Sequence, residues 1–338
     1  MNKRASWVDY AKGYGIVLVV YGHVSRGLFN AGLLLDAPRF TLIDSVIYSF
    51  HMPLFFFLSG LFFIPSFNKY GRPALLREKA GSIVYPYLVW SLLQGYIEVL
   101  LSRYTTAHVS SSEVLALLWQ PRAQFWFLYV LFTLFGLMAL LYRRPGAAVL
   151  LPAAALLAWI AHLRLSFPFP LDFIATYLLF FWLGTEALRV QAWLQTHALA
   201  ATLLCAAAFA ALAYWLHGPL GLRYTSPSLL LLPLALSGIA LVCSLAMLST
   251  RAGRALHWLQ LCGRYSMTIY LMHILVGSGV RIVLQKFCGI DNSALHLLLA
   301  CVIACALPIG FYRFSQRHAA LTYCFSLPPA PSAKLPHP

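Results

Sequence analysis

The stretch DYAKGYGIVLVVYGHVSR, residues 9–26, decides how this chain is read. Its middle is apolar, yet it opens on Asp9 and Lys12 and is polar again at His23 and Arg26. Lys12 and His23 are eleven residues apart, about three helical turns plus 20°, so they share one helix face about 16 Å apart along the axis. Asp9, Lys12, Ile16, Val19, His23 and Arg26 form a stripe on that face. A cleaved signal segment has a cleaner apolar centre than one holding Tyr14, Tyr21 and His23, so a retained first helix is expected. The bland alternatives are that Lys12 snorkels to head groups and that His23 bonds a neighbouring helix.

Composition sets the solvent for such a helix. Apolar residues make up 61% of the 338 and charged residues 10%, against about 25% charged in a soluble domain. Most of the chain therefore faces lipid. Apolar runs of spanning length fall at 13–29, 42–64, 81–101, 124–142, 146–162, 171–187, 198–216, 228–249, 265–283 and 294–313. The expected fold is an all-α integral membrane protein of about ten spans around a polar midplane cavity, with no soluble domain. Residues 1–323 form the membrane unit, and 324–338 a Pro-rich, disordered cytoplasmic tail.

Net charge is +15, from 24 Lys and Arg against 9 Asp and Glu. No basic run with interleaved aromatics lies outside the apolar segments, so nucleic acid is excluded. The excess sets topology instead. With the N-terminus inside, 15 of the 24 basic residues fall in cytoplasmic segments and 6 in the opposite loops. That split puts both termini in the cytoplasm of a multi-pass protein. Cys205, Cys243, Cys301 and Cys305 lie in apolar runs and Cys288 is alone on its side, so no disulfide is expected.

Ionisable groups at mid-membrane are costly unless they face a polar cavity. His51 lies beside Pro53, whose missing N–H frees a carbonyl; the imidazole either lines the cavity or satisfies that backbone. Asp44 and Tyr48 continue its face. Tyr87, Ser91, Gln94 and Glu98 make one polar stripe on the third span, with Glu98 near the solvated end. Ser266, Tyr270, His273, Gly277 and Arg281 make another on the ninth. Counted from the cytoplasmic ends, His23, His51 and His273 lie about 15, 20 and 12 Å deep, near the middle of a core about 30 Å thick. A shared cavity is the simpler account of three histidines at one depth, and histidine suits general-base work on a hydroxyl. No zinc spacing appears among the Cys and His residues, so no metal is expected.

These residues carry a resemblance. Asp9 to Gly13 through Gly22-His23, then Tyr48 to Phe63 (YSFHMPLFFFLSGLFF), Tyr85-Pro86-Tyr87, Phe125 to Tyr129 (FWFLY) and Tyr265 to His273 (YSMTIYLMH) resemble, in order, landmarks of the family-3 membrane acyltransferases. The fucose 4-O-acetylase-like subgroup is the nearest match. The resemblance implies O-acylation of an extracytoplasmic polysaccharide or lipid-linked glycan in a bacterial cytoplasmic (inner) membrane, with acetyl-CoA as donor. It marks His23 as the catalytic histidine. Lys12 stands where many members carry the Arg of an Arg-x10-His pair. The family's Arg-x-x-Arg motif after the second helix is absent, and Arg77-Glu78-Lys79 stands nearest to it. Arg77, Lys79, Arg143 and Arg144 are placed to attract CoA phosphates from the cytoplasm. The expected acceptor cavity is Asp44, His51, Ser91, Gln94, Glu98, Trp126, Tyr270 and His273. Partners are acyl-CoA, the glycan acceptor and the bilayer, with a homo-oligomer or a polysaccharide-assembly partner left open. A glycan or lipid exporter would use the same cavity for passage, but no paired repeats with broken helices are visible. A non-catalytic scaffold would not need His23.

Overall fold

The computed structural model describes residues 6–34, 36–100, 110–325 and 327. Most of the tail expected to be disordered therefore lies outside the described residues. Sixteen α-helices follow one another, and no strand occurs among the described residues. They are α1 (Ser6–Asn30), α2 (Ala37–Tyr48), α3 (His51–Gly60), α4 (Phe63–Lys79), α5 (Tyr85–Leu100), α6 (Ser111–Leu115), α7 (Trp126–Leu141) and α8 (Ala147–His162). Then come α9 (Leu171–Glu186), α10 (Gln191–Thr196), α11 (Ala198–His217), α12 (Leu231–Ser249), α13 (His257–Arg264), α14 (Ser266–Ile282), α15 (Ser293–Ser315) and α16 (Ala319–Thr322). The protein is an all-α membrane protein.

Helix α1 is the hub. It touches α2, α3, α12, α13, α14 and α15, and 14 of its 25 residues are buried. A helix wrapped by protein rather than lipid can carry a polar stripe, because its charged groups find partners and cavities instead of hydrocarbon. Glycines allow the close contacts. A Cβ on Gly263 of α13 would overlap the Asp9 carbonyl of α1, and one on Gly13 would overlap the Leu259 carbonyl. Gly60 and Gly184 bring α3 and α9 together in the same way. Such backbone-to-backbone approach replaces the hydrophobic drive that lipid does not supply between helices. Hydrogen bonds such as Tyr14 Oη to Ser249 Oγ, 2.9 Å, add to it, each on the order of 0.6 kcal/mol.

Eight helical segments among the described residues are long and apolar enough to cross a membrane. Two further helices fall short of that measure. Helix α1 is long enough at 25 residues but carries Asp9, Lys12, His23 and Arg26. Helix α8 is apolar but has 16 residues. The other two of the expected ten spans fall on α1 and α8, which do not meet that measure.

The second span departs most from a plain helix. It is broken at Ser49 and Phe50 into α2 and α3, with Phe50 at φ −135°. Pro53 cannot donate to a carbonyl one turn back, so the chain breaks before it. Past Gly60 the chain continues into α4, which turns sharply at Gly71 (φ 72°, ψ 172°). The segment between the eighth and ninth spans is also more than a loop: α13 packs along α1 there.

Candidate functional site

The α1 stripe borders two cavities in succession, here called inner at the Lys12 end and outer at the Asn30 end. The inner one, about 120 Å³, is lined by Lys12, Ile16 and Val19 of α1. Met52, Phe55 and Ser59 of α3, Phe127 and Leu131 of α7, and Ser266, Met267 and Tyr270 of α14 complete it. The outer one, about 290 Å³, continues both stripes: His23, Arg26, Gly27 and Asn30 of α1 face His273, Gly277, Ser278 and Arg281 of α14. The expected helix faces are thus the cavity walls. Gly277 leaves room there; a Cβ on it would lie 3.2 Å from the Val24 side chain.

His23 and His273 stand at the inner end of the outer cavity. Their rings meet edge to face with centroids 5.0 Å apart. His273 is fully buried. Its Nδ1 lies 2.7 Å from the Tyr270 carbonyl and 3.2 Å from that of Ile269. A carbonyl only accepts, so Nδ1 carries the proton and Nε2 keeps its lone pair. That Nε2 is buried and has no hydrogen-bond partner among the described residues.

His51 is oriented differently. Its Nδ1 is 2.8 Å from the Ile47 carbonyl, at the break between α2 and α3, so the imidazole satisfies backbone that the break frees. Its ring meets Tyr48 edge to face at 4.3 Å. His51 lines neither of the two cavities.

Asp44 is committed to Arg26. The guanidinium donates Nε to Oδ1 at 2.7 Å and Nη2 to Oδ2 at 2.9 Å. It also lies 3.4 Å from the centre of the Tyr48 ring and donates to Tyr224 Oη at 3.0 Å. This paired fork and its stacking face make one rigid unit of α1, α2 and the segment before α12. Asp44 therefore braces the wall of the outer cavity from outside it.

The third-span stripe tethers the next connection. Gln94 Nε2 donates to Glu98 at 2.8 Å, Gln124 Nε2 donates to Gln94 at 2.8 Å, and Arg122 pairs with Glu98 at 3.2 Å. Tyr87 Oη donates to the Leu117 carbonyl and Tyr270 Oη to the Gln124 carbonyl. Tyr270 is thereby fixed over the inner cavity. Ser91 Oγ is buried without a partner among the described residues. Trp126 packs on Phe173 and Tyr177, centroids 4.6 and 5.5 Å away. Those two rings line a third cavity of about 310 Å³ with Tyr48, Tyr224 and the His162–Asp172 pair.

The residues expected near the donor do not converge on one point. Arg143 lines a cavity of about 780 Å³ with Asn68, Glu186 and Arg189, and donates to Asn68 Oδ1 at 3.3 Å. Lys79 pairs with Glu78 at 3.0 Å and lies 5.0 Å from the Phe135 ring centre. Arg77, Arg143 and Arg144 are all exposed.

The sequence put Arg26 and Arg281 on the two polar stripes but not among the expected cavity residues, and it did not single out Tyr224 at all. For Arg26 a signal existed: it is three residues from His23 on the same face. For Tyr224 none did, since it lies in a connection without periodicity.

A family profile described as an acyltransferase domain matches residues 5–313, from the start of α1 nearly to the end of α15. Over 171 residues the chain is 28% identical to nodulation protein NolL of Mesorhizobium japonicum. That stretch covers 49% of this chain and 43% of NolL, so the chain matches less than half of that relative's length. No solved structure matches. The profile takes in both walls of the two cavities and the His23–His273 pair, and the chain belongs to the family-3 acyltransferases.

Proposed function

We propose that this chain is a membrane O-acyltransferase that moves an acyl group, acetyl in our reading, from cytoplasmic acyl-CoA to a sugar hydroxyl on the other side of a bacterial cytoplasmic membrane. One observation carries the proposal. His23 and His273 line the inner end of an outer cavity that ends at Asn30 and Arg281, about one helical turn beyond Val19 and Tyr270 of an inner cavity that begins at Lys12. Donor and acceptor can then meet at the imidazoles from opposite sides while CoA stays inside.

In this mechanism an unprotonated nitrogen of His23 takes the proton of the acceptor hydroxyl as its oxygen attacks the thioester carbonyl carbon. The C–S bond breaks, and the CoA thiolate takes the proton back from the imidazolium. The ester stays on the sugar and His23 is regenerated. Lys12, about 16 Å nearer the cytoplasm, holds the donor and takes no part in proton transfer. Ten spans with both termini cytoplasmic complete the reading.

The test compares mass spectra of surface glycans from cells with and without the protein. We expect loss of 42 Da substituents, about the mass added by one acetyl ester, in cells lacking it, and return on re-expression. Identical spectra, with no transfer of labelled acetyl from acetyl-CoA by proteoliposomes, would overturn the proposal.

A further inference from the structure

The outer cavity holds a charge that no described residue answers. Arg281 lines it beside Gly277 and Ser278 and is half-buried. It makes no hydrogen bond or ion pair among the described residues. The other guanidinium there, Arg26, is already matched by Asp44. Among the described residues no carboxylate lines this cavity. At its inner end the fully buried His273 leaves Nε2 without a partner among the described residues. Both groups are costly to bury unless a ligand meets them. The complementary ligand carries an anion at the Arg281 end and a hydroxyl at the histidine end.

The neighbouring face of α14 says where the rest of that ligand goes. Val276, Gly279 and Val280 of α14, with Val283 just past its end, form an apolar groove of about 370 Å³ with Leu299, Ile303 and Leu307 of α15. Val283 is level with Arg281, and Val276 lies about 10 Å further in along the axis. A lipid whose phosphate sits at Arg281 can lay its chain down this groove. Eight residues, about 12 Å of helix, separate His273 from Arg281, a gap that an arginine side chain and one sugar ring together bridge.

We propose that the acceptor is a lipid-linked sugar phosphate. Arg281 binds its phosphate, the α14–α15 groove holds its hydrocarbon chain, and its sugar reaches down to His23 and His273. This rests on the acyl-transfer reading above for what happens at the sugar, but the binding itself needs no acyl donor.

The test uses the full chain in detergent, without acyl-CoA, and measures binding of farnesyl phosphate, farnesol and inorganic phosphate by native mass spectrometry and fluorescence. Farnesyl phosphate binds, and farnesol binds at least about tenfold more weakly, as loss of a charge-assisted contact requires. Arg281→Gln weakens farnesyl phosphate by about tenfold or more, and Arg281→Lys by less. Val280→Trp, which fills the groove, weakens farnesyl phosphate and leaves inorganic phosphate unchanged, so the proposal stays testable should Arg281→Gln not fold. Unchanged farnesyl phosphate binding by a monodisperse Arg281→Gln or Val280→Trp protein overturns the proposal. So does inorganic phosphate binding as tightly as farnesyl phosphate, which would point to a soluble phosphate ligand. Farnesyl phosphate binding that follows these expectations while no acetyl transfer is ever found counts against the acyl-transfer reading alone.

Discussion

The imidazoles of His23 and His273 come from helices far apart in the chain and meet edge to face, 5.0 Å between centroids. His273 is held by its bond to the Tyr270 carbonyl, and Tyr270 in turn by its bond to the Gln124 carbonyl. His23 thus faces a fixed neighbour. If His23 is the base, His23→Gln keeps rough shape and hydrogen bonding but cannot take a proton at neutral pH. We expect its acetyl transfer to fall about 10²–10⁴-fold at near-normal abundance, and His23→Ala to be equally inactive. A His that only bonds a neighbouring helix gives the reverse order, with Gln tolerated and Ala poorly folded. Substantial transfer by a well-folded His23→Gln protein would move the base to His273.

Arg26 and Asp44 form the best-matched ion pair near the site, two bonds at 2.7 and 2.9 Å. Removing one partner strands the other in a half-buried place. Asp44→Asn should lower the detergent melting temperature and slow transfer. Arg26→Lys should not substitute, because lysine has neither the planar fork nor the face that stacks on Tyr48. The double variant Arg26→Gln with Asp44→Asn should be less destabilised than the two single changes added together. Additive melting shifts would mean that the pair contributes little.

Much of this site was legible because helical periodicity is a strict constraint. The stripe Lys12, Ile16, Val19, His23 and Arg26 lines two successive cavities, and Tyr270 and His273 oppose it as the ninth-span spacing suggested. The shared depth of the histidines brought His23 and His273 together. It did not do so for His51, whose Nδ1 serves the Ile47 carbonyl at a backbone break. Asp44, Gln94 and Glu98 read as cavity residues, yet their side chains bond Arg26, Gln124 and Arg122. Periodicity shows which face of a helix is polar. It does not show which other helix that face meets, and a polar face can be filled by a tether as well as by a substrate. Helix α13 was hidden for a related reason: eight residues packed flat along α1 give no spanning run.

Topology has its own test. The proposed ten spans count α1 and α8, which differ in kind from the eight long apolar segments. Reporter fusions after Thr105 and after Lys334 should report opposite sides, as the 15 to 6 split of basic residues requires. Fusions on the same side would reject the ten-span arrangement and the cytoplasmic placement of Lys79 and Arg143.

The donor side makes the last prediction. Arg77, Lys79, Arg143 and Arg144 were expected to attract CoA phosphates, and they differ in placement. Arg143 is exposed and lines a 780 Å³ cavity together with Arg189 and Glu186; Arg77 and Arg144 are exposed and line none of the cavities described above, and Lys79 is paired with Glu78. A phosphate that binds in that cavity gains most from Arg143, since a direct contact of a few ångströms lies inside the screening length. Charges that do not touch the bound phosphate only raise its local concentration and lose that effect in salt. Neutralising all four to Gln should therefore raise KM for acetyl-CoA with little change in kcat, the pattern of lost binding that is equal in ground and transition states. Arg143→Gln alone should account for most of the rise at 0.3 M salt, a concentration at which charges more than about 6 Å apart are largely screened. Arg77→Gln with Arg144→Gln should matter only at low salt. An unchanged KM in the fourfold variant, measured at low salt in proteoliposomes of matched protein content, would reduce these residues to topology charges and send the search for the donor site to the inner cavity mouth at Lys12.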